Sequence, residues 1–494
     1  MASSATIERE LTWDGGASEP SVPRRRGGWR FPTVSAVFGA CFALFAGVIQ
    51  LRPLHDNSFL WHLKTGHWIL DHGIPRSDLF SFTAPDAPWV VQSWLAEAGY
   101  AIIDDLFGPF GLRVFRAVVS ALIAYLVYRL ASRLTGERPR AALLTTAALA
   151  ASITLWSERP LLLGVLGMVV LVWIVEQPDC LAGRRAVVAI PVLMWTWANV
   201  HGTFALGFAY LAAHLVGRWL DGRRPWEGSD RPLLIGSAAA LAACLVNPLG
   251  FSLLAFPIHL LRRGEILNQI LEWKSPDFHS FVGMLFGIWI VIFVLVLAGA
   301  RRRPSRRDLL VSVAFLLLGL WALRNVALAP IVGLAVIARL LAAEERRPDR
   351  ATPFNLAVIA LFVVLGLSSV SQAAAVKDFD FSTYPVQAMK VVEEEGHLGR
   401  HLLTTDAWSA YVIHRYWPQQ HVFLDDRYDM FPTELADEYF KLARADEEWE
   451  RILDGHGIDV VVWPVEKPLT RVLDRAPGWH PIFRDKTSAV WIRK

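Results

Sequence analysis

Charged residues are scarce in this sequence. Asp, Glu, Lys and Arg make up 19% of its 494 residues and hydrophobic residues 54%, whereas a soluble globular protein carries about 25% charged residues. The apolar residues are gathered into segments of roughly 16–20 residues with almost no charge, which is the length that crosses a hydrocarbon core. The composition therefore predicts an α-helical polytopic membrane protein.

Cysteine is also rare. Cys41 and Cys244 lie in apolar segments and Cys180 lies in a polar loop, so no disulfide framework is expected. The chain lacks a Walker loop, a G-x-G-x-x-G turn after a strand, a G-x-S-x-G elbow and an H-E-x-x-H pair. The common sequence signals of nucleotide-binding proteins, serine hydrolases and zinc proteases are therefore missing.

Basic residues are distributed so that they predict the orientation of the chain. Arginine clusters recur in every second segment between the apolar runs, which is typical of cytoplasmic loops. The net charge of +3 therefore reflects topology, and no nucleic-acid partner is expected. The first apolar run is too long for a cleaved signal peptide. We expect about eleven transmembrane helices, at approximately 33–52, 112–131, 141–157, 161–176, 186–199, 203–219, 232–247, 281–300, 308–323, 326–342 and 353–371.

This topology divides the chain into three parts. Residues 1–32 form a basic cytoplasmic tail, residues 33–371 a transmembrane domain, and residues 372–494 an extracytoplasmic domain, so that the protein is multi-pass in the plasma membrane. The first extracytoplasmic loop, 53–111, predicts two helices lying at the membrane surface, at 59–70 and 92–106, with interfacial tryptophans at Trp61, Trp68, Trp89 and Trp94. In the tail, strand patterns at 401–404, 422–424, 460–463 and 489–492 alternate with helical patterns at 384–395 and 433–453, which predicts a small α/β domain.

The strongest candidate for chemistry is Asp56, directly after the first span. Ionisable groups beside a bilayer are costly and often functional, and a carboxylate there could act as a general base; the alternative is a solvated side chain. His62 lies in the same loop, but the histidines there are five residues apart, whereas a helical zinc site uses i, i+4. No metal is predicted, although a divalent cation held by Asp56 and a substrate phosphate would be compatible with oxygen ligands.

Polar residues at the outer ends of later spans form a second candidate group. Glu272, in the long outside segment 248–280, could be a second carboxylate of the same cleft. Arginine suits phosphate binding because its planar fork offers several donors. The alternatives are interfacial anchoring and, for Glu272, a salt bridge with Lys274 or a nearby arginine. The candidates for substrate binding are His62, Arg159, Asn199, His201, Glu272 and Arg324.

The tail contains a third candidate group. Asp425, Arg427 and Asp429 directly follow a predicted strand, where ligands often bind in α/β units. A structural network of acids with arginine is the alternative.

The arrangement resembles a known class of enzymes. One amino-terminal span followed by an outside loop that begins with an acid is similar to the GT-C class of membrane glycosyltransferases. The stretches DNSFLWHLKTG, GIPRSDLFSFT, PWVVQSWLAE, WANVHGTFALG, VNPLG, LEWKSPDF and VFLDDRYD resemble motifs of a bacterial branch of that class. This branch is related to protein mannosyltransferases and to lipopolysaccharide-core sugar transferases.

The resemblance implies a GT-C-like fold and a glycosyltransferase that uses a polyprenyl-phosphate sugar. The acceptor would be a hydroxyl of a glycan, lipid or protein on the outer face, and no cofactor would be needed. The catalytic acid of the class falls on Asp56, while Ser58 stands where many members have a second acid. A transporter or flippase for a lipid-linked glycan and a non-catalytic scaffold of envelope assembly are the alternatives.

Overall fold

The computed structural model describes residues 31–176, 185–345 and 348–494. Cys180 and nearly all of the predicted cytoplasmic tail, 1–32, lie outside these residues. The helices up to the tail are α1 (Val34–Ile49), α2 (Asn57–His72), α3 (Trp94–Thr135), α4 (Arg138–Ser152), α5 (Leu161–Glu176), α6 (Ala186–Val200), α7 (Phe204–Leu220), α8 (Arg231–Ala243), α9 (Phe251–Leu261), α10 (Gly264–Leu267), α11 (Phe281–Gly299), α12 (Arg306–Trp321), α13 (Ala329–Leu340) and α14 (Pro353–Ala373).

Every predicted span falls on one of these helices. Within the described ranges, α3, α11 and α14 are long and apolar enough to cross a membrane, and α1, α5–α9 and α13 are shorter apolar helices. A helical membrane protein is thereby confirmed. The number of crossings and the orientation of the termini stay predictions.

Helix α3 consists of two segments joined at a kink. Gly108 has a φ of 64°, outside the helical region, and Pro109 follows it. Glycine adopts a positive φ without a steric penalty, and proline cannot donate the hydrogen bond that would continue the helix. The two segments correspond to the predicted surface helix at 92–106 and the predicted span at 112–131.

Helix α2 begins at the candidate acid. Asp56 is its N-cap, and the carboxylate accepts a hydrogen bond from the backbone N–H of Phe59 at 3.3 Å, as aspartates commonly do at helix starts. The helix packs closely against α3, since a Cβ atom at Gly66 would lie 2.1 Å from the carbonyl oxygen of Glu97. Its other side packs against the tail.

The tail is a small α/β domain, as predicted. Its four strands are ordered β1–β2–β4–β3, with β1 and β2 parallel and the other pairs antiparallel. Strand β3 was not predicted, and the pattern at 422–424 forms only isolated bridges. The elements are α15 (Val386–Glu394), β1 (Leu402–Leu403), α16 (Asp406–Tyr416), α17 (Thr433–Arg444), α18 (Trp449–Gly455), β2 (Val460–Pro464), α19 (Pro468–Leu473), β3 (Trp479–Arg484) and β4 (Ser488–Arg493).

The first loop and the tail share one hydrophobic core. Val422 bridges both β1 and Ser81 of the loop, and Trp61 and Trp89 are buried in the core with 8% and 4% exposure. Trp68 packs edge-on against Trp417 of the tail, with ring centroids 5.6 Å apart. The interfacial role expected for Trp61 and Trp89 is therefore wrong, because the tail buries them. Trp68 is half-buried, and its interfacial role stays a prediction. Periodicity along the chain could not reveal a partner that lies more than 300 residues away.

Candidate functional site

Asp56 lies where the first loop, the helix bundle and the tail meet. Its carboxylate accepts a hydrogen bond from Arg159 Nε, with Oδ1 at 2.5 Å. Burial raises the pKa of Asp56 above its usual range, although the Arg159 guanidinium opposes this shift. A carboxylate with a raised pKa is a stronger base, which suits proton transfer.

Arg159 joins Asp56 to a second carboxylate. Its Nη1 atom donates to Glu272 Oε1 at 2.5 Å. Burial alone would raise the pKa of Glu272, but Arg159 and Arg324 outweigh it and lower that pKa. Side-chain exposure increases from 10% at Asp56 through 22% at Arg159 to 41% at Glu272. A ligand would therefore reach the chain of ion pairs from the Glu272 end.

The backbone at Asp56 is held by a buried ion pair. Glu158 Oε1 accepts hydrogen bonds from the backbone N–H groups of His55, at 2.6 Å, and Asp56, at 2.9 Å. Its other oxygen accepts from Arg116 of α3 at 2.5 Å. Arg116 also donates to the backbone carbonyls of Gln50 and Arg52, just after α1. These contacts tie the end of α1 and the start of α2 to α3.

The tail contributes a third carboxylate to this region. Asp426 accepts hydrogen bonds from Asn57 Nδ2 at 2.7 Å, from the Ser58 hydroxyl and from Trp61 Nε1 at 2.6 Å. Burial raises the pKa of Asp426 to about 7, while Arg159 lowers it. All three donors belong to the beginning of α2.

Arg324 provides a cation near Glu272. Its guanidinium carbon lies 4.6 Å from the centroid of the Trp273 ring, within the range of a cation–π contact. Among the described residues, the Arg324 guanidinium has neither an ion pair nor a hydrogen bond, so its donors are available to a ligand.

His62, Asn199 and His201 are buried and bound to other protein groups. His62 pairs with Glu97 of α3 at 2.6 Å, and Asn199 accepts from Trp94 Nε1 at 2.8 Å. His201 Nδ1 lies 2.9 Å from the Thr203 hydroxyl. Burial lowers the pKa of His62 and of His201 well below the usual range, and Arg159 contributes to both shifts. Both imidazoles are therefore neutral at pH 7. The predicted contacts of His62, Asn199 and His201 with a substrate stay predictions.

The tail residues Asp425 and Arg427 form a buried network. Arg427 donates to Asp425 at 2.6 Å and to Asp78 of the first loop at 2.7 Å, and its guanidinium carbon lies 4.3 Å from the centroid of the Trp89 ring. This arrangement favours the structural alternative over a ligand site. Asp429 instead lines a cavity of about 610 Å³ beside α9.

Metal-ligand clusters are absent from the part of the chain that the structure describes. No group of three or more His, Cys, Asp or Glu side chains there could hold a metal ion. Asp56 is paired with Arg159, and the expectation that no cofactor is needed stays a prediction.

Three residues around Asp56 were not among the predicted site residues. Glu158 directly precedes the predicted residue Arg159, Asp426 lies between two predicted tail residues, and Arg116 lies within a predicted span. Arg116 was the one sequence signal for this group of residues. A charge inside an apolar segment requires a partner, which here is Glu158.

The fold is similar to that of an archaeal enzyme. No protein-family model matches the chain, and no curated protein matches its sequence. The oligosaccharyltransferase AglB from Archaeoglobus fulgidus, solved with an inhibitory peptide and a dolichol-phosphate, has a TM-score of 0.50 at 10% identity, covering 93% of this chain and 74% of that chain. An oligosaccharyltransferase structure from the same organism, with zinc and sulfate, has a TM-score of 0.48 at 10% identity, covering 87% and 68%. AglB has the GT-C fold, so the expected GT-C-like architecture is confirmed.

Proposed function

We propose that this protein is a membrane glycosyltransferase that transfers a sugar from a polyprenyl-phosphate donor to an acceptor hydroxyl. The observation that carries the proposal is the Asp56–Arg159–Glu272 chain of ion pairs. It lies at the junction of a GT-C helix bundle with its tail, in a fold shared with an enzyme that was solved with a dolichol-phosphate.

Asp56 acts as the base in the proposed step. The acceptor oxygen attacks the anomeric carbon, and a new carbon–oxygen bond forms. The bond between the anomeric carbon and the phosphate oxygen breaks, and polyprenyl phosphate leaves with the electron pair. The acceptor hydroxyl loses its proton to Asp56, whose pKa burial raises. Charge and atoms balance without a cofactor.

Arg324 and Arg159 stabilise the leaving phosphate. Arg324 has unused donors facing the region of Glu272, and a fixed cation is most effective where negative charge develops. Arg159 is neutralised by two carboxylates before the substrate binds. When Asp56 accepts the proton, the Arg159 guanidinium becomes available to the phosphate.

The position of the charges disfavours a transporter. Transporters bind their substrates near the middle of the membrane, often on broken helices. Asp56 and Arg159 instead lie in connections between α-helices, and Glu272 lies in a single 3-10 turn between α10 and α11. A scaffold would need neither a base with a raised pKa nor an open arginine.

The test is transfer by the purified protein in detergent. It is incubated with a panel of radiolabelled polyprenyl-phosphate monosaccharides, and release of the lipid phosphate is measured. Asp56→Asn should reduce release to background, while the membrane level of the protein stays normal. Asp71→Asn, an exposed acid at the end of α2, is the matched control and should keep wild-type release. Unchanged release by Asp56→Asn would disprove the assignment.

A further inference from the structure

The side chain of Asp426 reaches from the tail to the first turns of α2. Asp426 Oδ2 accepts from Asn57 Nδ2 and the Ser58 hydroxyl, and Oδ1 accepts from Trp61 Nε1. The first turn begins at Asp56, so the tail carboxylate binds the residues next to the proposed base. The contacts join positions more than 360 residues apart in the chain.

Asn57 connects Asp426 to the ion pairs. Its Oδ1 atom accepts from Arg159 Nη2 at 3.4 Å, while its Nδ2 atom donates to Asp426. A guanidinium can only donate and an ionised carboxylate can only accept. The orientation of the Asn57 amide is therefore determined by its two neighbours, and its contact restrains Arg159.

The segment that carries Asp426 is itself held on both sides. Arg427 is paired with Asp425 and with Asp78 of the first loop, and the Tyr428 hydroxyl donates to Asp406 at 2.9 Å. These contacts fix the position of Asp426 relative to α2. A side chain that orients other side chains must itself be held in place in this way.

We propose that Asp426 is a positioning residue, which holds Asn57 and the first turn of α2 so that Asp56 and Arg159 keep their reactive geometry. This inference rests on the proposed function. Because Asp426 acts through Asn57 and the backbone, its loss should lower the turnover number and leave donor affinity nearly unchanged. The tail would thus complete the site in addition to covering the first loop.

Protonation of Asp426 provides an independent readout. Burial raises its pKa to about 7, Arg159 and the Ser58 hydroxyl lower it, and Asp425 and Asp406 raise it. The charge of Asp426 also contributes to raising the pKa of the phenols of Tyr384 and Tyr428. A protonated carboxyl has lost its charge, so its hydrogen bonds to the Asn57 amide and the Trp61 indole are weaker than those of the carboxylate. Turnover should therefore increase as the pH passes through about 7.

The experiment compares Asp426→Asn with the wild type. We expect turnover of the labelled polyprenyl-phosphate sugar to fall about 10- to 100-fold, the donor KM to change less than about 2-fold, and the pH step near 7 to disappear. Asp437→Asn, a half-exposed tail acid that pairs with Lys441, is the matched control. Wild-type turnover with an unchanged pH profile in Asp426→Asn would overturn the proposal.

Two further measurements test the proposal, the first with a different variant and the second without the transfer activity. Ser58→Ala removes a hydrogen bond that lowers the pKa of Asp426, so the pH step should move upward; an unmoved step would contradict the proposal. Hydrogen exchange of the peptide 55–62 should accelerate in Asp426→Asn while that of strand β2 stays constant. If the wild type transfers no sugar, the proposed function fails, whereas unaltered exchange of 55–62 would refute the positioning role alone.

Discussion

At the scale of residues, the short connection between α4 and α5 places two neighbouring side chains in different roles. Glu158 binds the backbone of His55 and Asp56 and is paired with Arg116. Arg159 forms ion pairs with the carboxylates of Asp56 and Glu272. Glu158 therefore holds the backbone of the proposed base, and Arg159 pairs with its carboxylate and opposes the rise of its pKa.

Glu158→Gln should destabilise the protein strongly. Its side chain is 2% exposed and that of Arg116 is 1% exposed, and removal of one partner from a buried ion pair costs about 3–5 kcal/mol. Thermal unfolding of the purified protein measures the loss. Glu265→Gln, an exposed acid on α10, is the control and should unfold like the wild type.

The ion pair between Glu158 and Arg116 makes the stability of the protein depend on pH. Burial would raise the pKa of Glu158, but Arg116 and backbone donors outweigh it, so the folded-state pKa lies below the unfolded-state value. The stabilisation is therefore present above the unfolded-state pKa of about 4.5 and is lost as the pH falls through the lower folded-state pKa. Glu158→Gln should lack this acid-side loss of thermal stability, and an equal loss in both proteins would contradict the assignment.

At the scale of elements, α2 connects the two halves of the molecule. Ser58 and Trp61 point to the tail, whereas His62 and Gly66 point to α3. Residues three or four apart share a face of a helix, so two different faces of α2 meet two different partners. The proposed base lies at the N-terminus of this helix, where both interfaces restrain it.

Gly66→Ala tests the packing of α2 on α3. The added methyl group would meet the Glu97 carbonyl oxygen at 2.1 Å, and overpacking of this kind costs about 1–3 kcal/mol. We expect a lower unfolding temperature and slower sugar transfer. The control is Gly99→Ala in α3, where a Cβ atom has no neighbour within 4 Å; alanine favours a helix there by about 1 kcal/mol. Equal unfolding temperatures for the two variants would disprove the close contact.

At the scale of the whole molecule, the predicted domain boundary at 371–372 does not separate two hydrophobic cores. Tail residues and residues of the first loop pack into one cluster. Arg427 lies inside it with two carboxylates, one from each part. We therefore expect the tail and the first loop to unfold together.

Arg427→Gln should loosen the tail. It would leave Asp78 and Asp425 buried without their cation, which costs about 3–5 kcal/mol. Limited proteolysis should then release fragments of the tail faster than in the wild type. Arg471→Gln, an exposed arginine in α19, should be cleaved at the wild-type rate. Resistance of Arg427→Gln to proteolysis would show that hydrophobic packing alone holds the tail.

The orientation of the chain is tested by labelling single cysteines in intact cells. In a variant without the native cysteines, a cysteine introduced at the exposed residue Ser382 should react with a membrane-impermeant maleimide. A cysteine at Arg302, in a basic loop, should react only after the cells are opened, because arginine-rich loops stay in the cytoplasm. The reverse pattern would invert the predicted topology.

Much of the architecture could be predicted from local patterns. The apolar runs located the helices of the membrane domain, and the alternation of strands with helices identified the tail domain. Asp56 was predicted because ionisable groups beside a bilayer are often functional, and Arg159 and Arg324 because arginine suits phosphate binding. Glu272 was predicted as a second carboxylate. The structure places Asp56, Arg159 and Glu272 in direct contact and Arg324 close enough to lower the pKa of Glu272.

The sequence alone determined which segments are helical, because hydrophobic periodicity and helix capping depend on neighbours a few positions away. Only the tertiary structure decided that Trp61 and Trp89 lie in a core, that Glu158 holds Asp56, and that Asp426 reaches α2 from the tail. These contacts join residues about 100 to 370 positions apart. Their energies depend on burial and on distances across the fold, and no local pattern in the chain encodes them.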